Sequence, residues 1–348
     1  MKGTLRYCTL FNAAYLARGL AMYNSLTKVC DDFHLYVFAF DDSTYKYFQE
    51  AGLPHLTVIS LKEFEDSELL RIKGSRTAGE YCWTCTPSTI LYCIEKFDLD
   101  HCTYIDADMI FYQDPRVLND EVQSNSVMIT EHRYTPEYDQ SATSGIYCVQ
   151  YVLFKNDERG LKVLRWWRDA CIEWCYNRLE EGKFGDQKYL DDWTSRFEGV
   201  HVMKHEGGGV APWNMQQYAL KSNDQVLMVK NHNSGISSSL IFVHFHGVRF
   251  YREEVVEFTG AGYSLSVSWK DLIFRPYALS LFELAVDVQK RAYYIRDANG
   301  VSDITKRGHF SNGIAIFKRN VFEYLRYVAG RSGSFRKFEN HVYHRSEL

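Results

Sequence analysis

The sequence predicts an α/β fold with a C-terminal helical annex, on two observations. Short apolar runs alternate with helix-patterned runs through the first two-thirds of the chain. After Gly247 that rhythm gives way to two amphipathic helical patterns. Leu5–Phe11 reads as a strand, Tyr15–Leu26 as a helix, and His34–Phe40 and Leu56–Ile59 as strands. Glu80–Phe97 has helical spacing, and Thr103–Phe111 is read as one strand. Ser126–Thr130 and Tyr147–Phe154 are further strands. Leu161–Leu179 is an amphipathic helix whose Trp166, Trp167 and Trp174 belong to the core. Tyr277–Asp297 and Gly313–Ala329 are the two late helices. The simplest division is an α/β domain over residues 1–260 and a helical extension over 261–348.

The 348 residues suffice for one large core with a small appendage, and 46% hydrophobic with 24% charged residues is a globular composition. A net charge of −4 argues against nucleic acid as the partner of the whole molecule. The charge is uneven: from Gln289 onward there are 12 Lys/Arg against 5 Asp/Glu. Such a basic tail suits an anionic membrane surface, and equally an ordinary solvated helix face. No apolar leader precedes the first strand and no apolar run reaches the ~18 residues of a membrane span. Nine cysteines, with one C-x-x-C at Cys82–Cys85 and no second pair at zinc-site spacing, are expected as free, mostly buried thiols in the cytoplasm.

The richest stretch is Tyr104-Ile105-Asp106-Ala107-Asp108-Met109. Two carboxylates where a buried strand emerges are costly unless something positive compensates them. Mn²⁺ or Mg²⁺, which favour oxygen ligands, would do so and could carry a diphosphate. Alone, the motif is also what a solvated acidic turn looks like. Its position decides more, because ligands of open α/β sheets lie beyond the carboxyl ends of the strands. Asn12 and Tyr15 follow the first strand and share that position, Tyr15 as a ring for stacking on a base.

Further signals lie downstream. Phe242-Val243-His244-Phe245-His246-Gly247 ends an apolar run in two histidines on one strand face. Gly247 permits close backbone approach to a phosphate, and Arg249 could reach its oxygens. Gly185-Asp186-Gln187 opens a helix-like run to Trp193, where Asp186 is either a cap or a sugar contact and Gln187 offers both donor and acceptor. Pro212-Trp213-Asn214 reads as a sugar-stacking ring or as a tight turn with a buried Trp. Glu131 and His132 stand after the next strand.

In order and spacing over residues 4–252, these pieces resemble the GT-A fold glycosyltransferases of family 8, the glycogenin and lipopolysaccharide galactosyltransferase type. The resemblance implies a mixed central sheet flanked by helices and a nucleotide-diphospho-sugar donor, UDP-linked in most relatives. It implies a cation on Asp106, Asp108 and His244, and it gives the metal role to His244 rather than His246. Tyr15 would pack on the base, Asp106 would also touch ribose, and Asp186 with Gln187 would touch the donor sugar. Gln150, Trp213, Asn214 and His246 would line the substrates, with Glu131 and His132 on the acceptor side.

The chain departs from the pattern at Ala13, where relatives carry an acid, and at Cys148-Val149-Gln150 in place of Asn-Ala-Gly. It departs again at Arg249-Phe250-Tyr251 in place of Lys-Pro-Trp, and at Tyr81-Cys82-Trp83 in place of Tyr-x-Arg. The expected activity is metal-dependent, retaining sugar transfer to a glycan or lipid-linked acceptor in surface polysaccharide synthesis. The enzyme would be cytoplasmic, peripheral on the inner face of the membrane. A nucleotidyltransferase of similar architecture and a non-catalytic sugar-nucleotide binder are the rival readings.

Overall fold

A computed structural model describes residues 3–224, 226–260, 262–303, 309–329 and 339–348. Part of the expected basic tail, namely Lys306, Arg307, Arg331, Arg336 and Lys337, lies outside the described residues.

Seven strands form the central sheet: β1 Leu5–Phe11, β2 Phe33–Ala39, β3 Leu56–Ser60, β4 His101–Ile105, β6 Val127–Glu131, β7 Tyr147–Lys155 and β8 Val200–Val202. Their order is β3-β2-β1-β4-β7-β6-β8. β3, β2, β1 and β4 run parallel, β7 is antiparallel to both β4 and β6, and β8 is parallel to β6. The sheet is therefore mixed. Alternate residues of β1 go to opposite layers: Leu5, Tyr7 and Phe11 join one buried cluster, Cys8 and Leu10 the other. Helix Leu16–Val29 covers the first face, while Ala78–Lys96 and Glu158–Glu173 pack together over the second.

Local chemistry sets the helix ends. Ala78–Lys96 begins with a capping box, in which Thr77 Oγ1 accepts from Glu80 N and a Glu80 carboxylate oxygen accepts from Thr77 N. Glu158–Glu173 starts at Asp157, whose carboxylate accepts from Gly160 N at 2.8 Å and from Ser126 Oγ at 2.9 Å. That helix stops before Trp174, where the backbone turns extended, short of the expected Leu179.

Thr103–Phe111 is two strands rather than one. β4 ends at Ile105, the aspartates occupy a turn, and β5 (Met109–Phe111) pairs antiparallel with Phe242–His244 outside the main sheet. The expected helix from Gly185 to Trp193 is a 3-10 turn over Lys188–Asp192 followed by Trp193–Arg196. Helix Arg275–Arg291 packs on Leu16–Val29, and Trp269, Ile273, Phe274 and Leu281 lie in the same core as the first strands. Strand Val342–His344 pairs with Val255–Glu257. Among the described residues, no helix is long and apolar enough to cross a membrane.

Gly160 shows how closely the second layer sits. A Cβ there would stand 2.3 Å from the Lys155 carbonyl oxygen and 3.2 Å from that of Ser126. Both are backbone atoms of sheet strands or their ends and have little freedom to move. Gly160→Ala should therefore lower the free energy of unfolding by about 1–3 kcal/mol, read as a fall in the urea midpoint. An unchanged midpoint would show that the β7 end yields.

Candidate functional site

The parallel strands bring their carboxyl ends to one edge of the sheet, and antiparallel β7 starts there. This edge collects Asn12 after β1, Asp41 after β2, Asp106 after β4, Glu131 at the end of β6, and Cys148 and Gln150 near the start of β7. The β5 pairing delivers the remaining piece, since His244 stands opposite Met109. Phe245 N donates to Asp108 O at 2.8 Å and Asp106 N to Gln150 O at 3.2 Å, so backbone fixes both aspartates.

His244 Nε2 lies 3.2 Å from Asp108 Oδ1 and 3.6 Å from Asp106 Oδ2. Ligand atoms of the three residues all fall within 4.8 Å of one another. Burial raises the Asp106 carboxyl to about 6 against the pull of His244. Burial also opposes ionisation of Asp108, but the adjacent His244 ring brings it down to about 2. Burial works against a charged His244, and the aspartates, Asp108 foremost, outweigh it and hold the imidazole well above its ordinary value. The cluster thus pairs a His244 ring held toward its charged form with the Asp108 carboxylate.

Two oxygen donors and one imidazole nitrogen at this spacing fit a divalent cation such as Mn²⁺ or Mg²⁺. A second contact supports the fit. Gln150 Oε1 lies 2.9 Å from His244 Nδ1, which assigns the proton there and aims Nε2 at the carboxylates. Gln150, expected at the substrate, is fully buried behind the histidine.

Tyr15 stands at the mouth of the site, 42% exposed as a residue, and Tyr15 N donates to Asn12 O at 2.9 Å. Asn12, His246 and Arg249 are exposed, and Arg249 is near enough to act electrostatically on Tyr15 and His246. Gly247 has φ +83°, a conformation that favours glycine.

Asp186 is buried, and burial, followed by repulsion from Asp106, raises its carboxyl to about 7. It does not cap a helix, because the 3-10 turn starts from Gln187. Gln187 Nε2 donates to Ser144 O at 2.6 Å and anchors the loop before β7.

Trp213 is buried with its ring centroid 5.5 Å from that of His244 and 5.4 Å from that of His246. Its Nε1 donates to His132 O at 2.9 Å. Asn214 is fully buried inside its own turn, donating to His132 O and Gly209 O and accepting from Ala211 N. The tight-turn reading of this segment is thus the one the geometry shows for Asn214. Glu131 is half-buried, and the His132 ring stacks on Tyr134 at 4.6 Å.

No family model matches the chain. It is 31% identical over 295 residues to the uncharacterized protein YfnD of Bacillus subtilis (strain 168), covering 82% of this chain and 91% of that protein. The chain belongs to the YfnD family. It is also 30% identical over 254 residues to the uncharacterized protein YfnF of the same organism, covering 71% of this chain and 82% of that one. Among solved structures it resembles the galactosyltransferase LgtC in complex with donor and acceptor sugar analogs. The TM-score is 0.50 at 12% identity, over 80% of this chain and 96% of that one. This likeness is one of fold, and the fold is of the GT-A type.

Two residues of this YfnD-family site escape a reading by motif. Asp41 Oδ2 accepts from Ala13 N at 2.7 Å while its Oδ1 caps the helix Asp42–Ala51, so one carboxylate fixes the first loop. Arg18 is buried, with Nη1 donating to Asn299 O at 2.8 Å and Nη2 to Val248 O at 3.1 Å. Its guanidinium lies 4.4 Å from the Tyr15 ring centroid. The signal available in sequence was a single charge within the apolar run Leu16–Leu20.

Burial lowers the His132 pKa to about 3, so the ring is neutral when folded, whereas the unfolded ring titrates at its ordinary value near 6.5. Its contribution is full above that value and is lost as pH falls below it. His132→Asn should remove up to ~1.4 kcal/mol per pH unit from the acid slope of stability. Urea unfolding of both proteins at stepped pH measures this, and identical slopes would mean the ring titrates freely when folded.

Proposed function

We propose that the protein is a metal-dependent, retaining glycosyltransferase of the family 8 type. It would move a sugar from a nucleotide-diphosphate sugar, UDP-linked in this reading, to a glycan or lipid-linked acceptor in surface polysaccharide synthesis. The observation that carries the reading is the convergence of Asp106, Asp108 and His244 at the carboxyl edge of a GT-A sheet, with Tyr15 at its mouth. Residues 1–260 are proposed as the catalytic part and 261–348 as its extension. A lipid-linked acceptor would be met at the cytoplasmic face of an anionic membrane, through the basic C-terminal region.

Asp106, Asp108 and His244 would hold the cation, Mn²⁺ or Mg²⁺, which when bound supplies a Lewis acid for charge growing on the departing diphosphate. Tyr15 stacks on the base, Asn12 lies beside it, and Asp106 also reaches ribose. Arg249 and the backbone at Gly247 face the phosphates. Asp186 and Gln187 position the donor sugar from below. Glu131 and His246 would face the acceptor side, with the buried His132 and Trp213 packed behind them. Retention follows if the acceptor hydroxyl attacks from the face the phosphate leaves. The new C–O bond forms as the sugar–phosphate bond breaks, and the hydroxyl proton passes to the departing phosphate oxygen.

A panel of nucleotide sugars with Mn²⁺ or Mg²⁺, scored for donor hydrolysis, should identify one hydrolysed donor. Asp108→Asn and His244→Ala should each lower that turnover by on the order of 100-fold or more, with the circular dichroism spectrum unchanged. Gln150→Leu should weaken Mn²⁺ binding by about 10–100-fold through loss of the His244 orientation. Full activity in Asp108→Asn or His244→Ala would overturn the assignment. Pyrophosphate release from a sugar-1-phosphate and a nucleoside triphosphate would indicate a nucleotidyltransferase instead. Donor binding without turnover under any metal or acceptor would indicate a binder.

A further inference from the structure

The helix His309–Val328 leaves a set of large apolar side chains in water. Ile314, Phe317, Val321, Phe322, Leu325 and Val328 are between 43 and 69% exposed. Ile314, Phe317, Val321, Leu325 and Val328 recur at three- and four-residue spacing, so they form one stripe, with Phe322 at its margin. Soluble surfaces rarely carry a contiguous patch of this kind without an occupant. Lys318 and Arg326 are exposed on the same margin as Phe322, and the Arg326 guanidinium lies 5.8 Å from the Phe322 ring centroid.

Charge narrows the choice of occupant. From Lys306 to Lys337 the sequence holds eight Lys/Arg and one acidic residue, Glu323, in a chain whose net charge is −4. A second copy of this helix would bring equal positive charge against the first. Nucleic acid would match the charge and leave the stripe in water. An anionic lipid surface satisfies both, with acyl chains for the stripe and headgroups for the basic margin.

We propose that the helix His309–Val328 lies in the plane of an anionic lipid surface, its apolar stripe inserted and Lys318 and Arg326 at headgroup level. This deepens the membrane contact proposed above for the C-terminal region and makes no use of the sugar-transfer chemistry, so the vesicle test can fail while the donor-hydrolysis assay succeeds, and the reverse.

The test is sedimentation of the full chain with vesicles of equimolar phosphatidylglycerol and phosphatidylcholine, and with phosphatidylcholine alone. The wild-type chain should partition at least about tenfold more strongly onto the anionic vesicles, and less so as salt rises. The pair Phe317→Glu/Leu325→Glu should lower that partition by on the order of tenfold or more with an unchanged circular dichroism spectrum. Lys318→Glu/Arg326→Glu should lower it while leaving the stripe intact. Absence of wild-type binding, or equal binding by the Phe317/Leu325 variant, would overturn the proposal. So would light scattering that shows a wild-type dimer which this variant converts to monomer, since the stripe would then belong to a second copy.

Discussion

Two carboxylates and an imidazole sharing one small volume impose the constraint on which the rest of this structure depends. With ligand atoms inside 4.8 Å, two ionised carboxylates repel by roughly 3–4 kcal/mol at the effective dielectric of a protein surface. His244 answers that repulsion as an imidazolium, which is why Asp108 is held acidic while Asp106, more dependent on burial, is not. The backbone must then part at this point. β4 cannot continue in the main sheet and also present Asp108 to His244, so the chain turns, and β5 pairs with the strand that carries the histidine. In the proposed enzyme the imidazolium proton is what a cation displaces.

The mouth of the site is held by chain from the far end of the sequence. Arg18 gathers the first loop, the Gly247–Val248 turn and Asn299 through carbonyl acceptors. Ala17 N donates to Ala298 O at 2.9 Å, and a Cβ at Gly300 would come within 3.2 Å of the Ala14 carbonyl. Tyr15 sits on this clasp, its ring over the guanidinium. In the proposed enzyme Tyr15 would stack on a base, and such a platform must be fixed before a ligand arrives if it is not to lose affinity to ordering. Here three of the fixing groups, Ala298, Asn299 and Gly300, come from beyond residue 260, so the shape of the first loop depends in part on contacts nearly three hundred residues away.

What could be read in sequence divides along the same physical line. The sheet strands were legible because apolar runs record burial on both faces, and the D-x-D and the two histidines stood out because charge at the end of such a run is expensive. The break between β4 and β5 was legible only in part: the aspartates end one apolar run and begin another, but the distant partner Phe242–His244 is what shows that the second run leaves the main sheet. Gln150 was seen as a polar residue near substrate; that it faces backward onto Nδ1 depends on the antiparallel direction of β7. Asn214 has the right chemistry for a sugar contact, and its hydrogen bonds to Ala211, Gly209 and His132 show that its polar atoms are engaged in the turn. Asp41 and Arg18 act through backbone groups, which leave no pattern in a sequence.

These placements bear on how a donor would be selected. At Ala13, where the resemblance leads one to expect an acid, the backbone N–H is occupied by Asp41, and that carboxylate also caps the following helix. Asp41 therefore shapes the loop, and its two oxygens are already accepting. Selection of the base in the proposed enzyme then falls to the Tyr15 ring and main-chain groups of the first loop, which tolerate more than one base, as stacking does. Below the cation site the opposite holds. Gln150 fills the space behind His244 with a side chain, and Asp186 brings a carboxyl with a pKa of about 7 beside Asp106. In the proposed enzyme a carboxyl titrating there could donate or accept toward a sugar hydroxyl near neutral pH, which would put the chemical discrimination at the sugar rather than at the base.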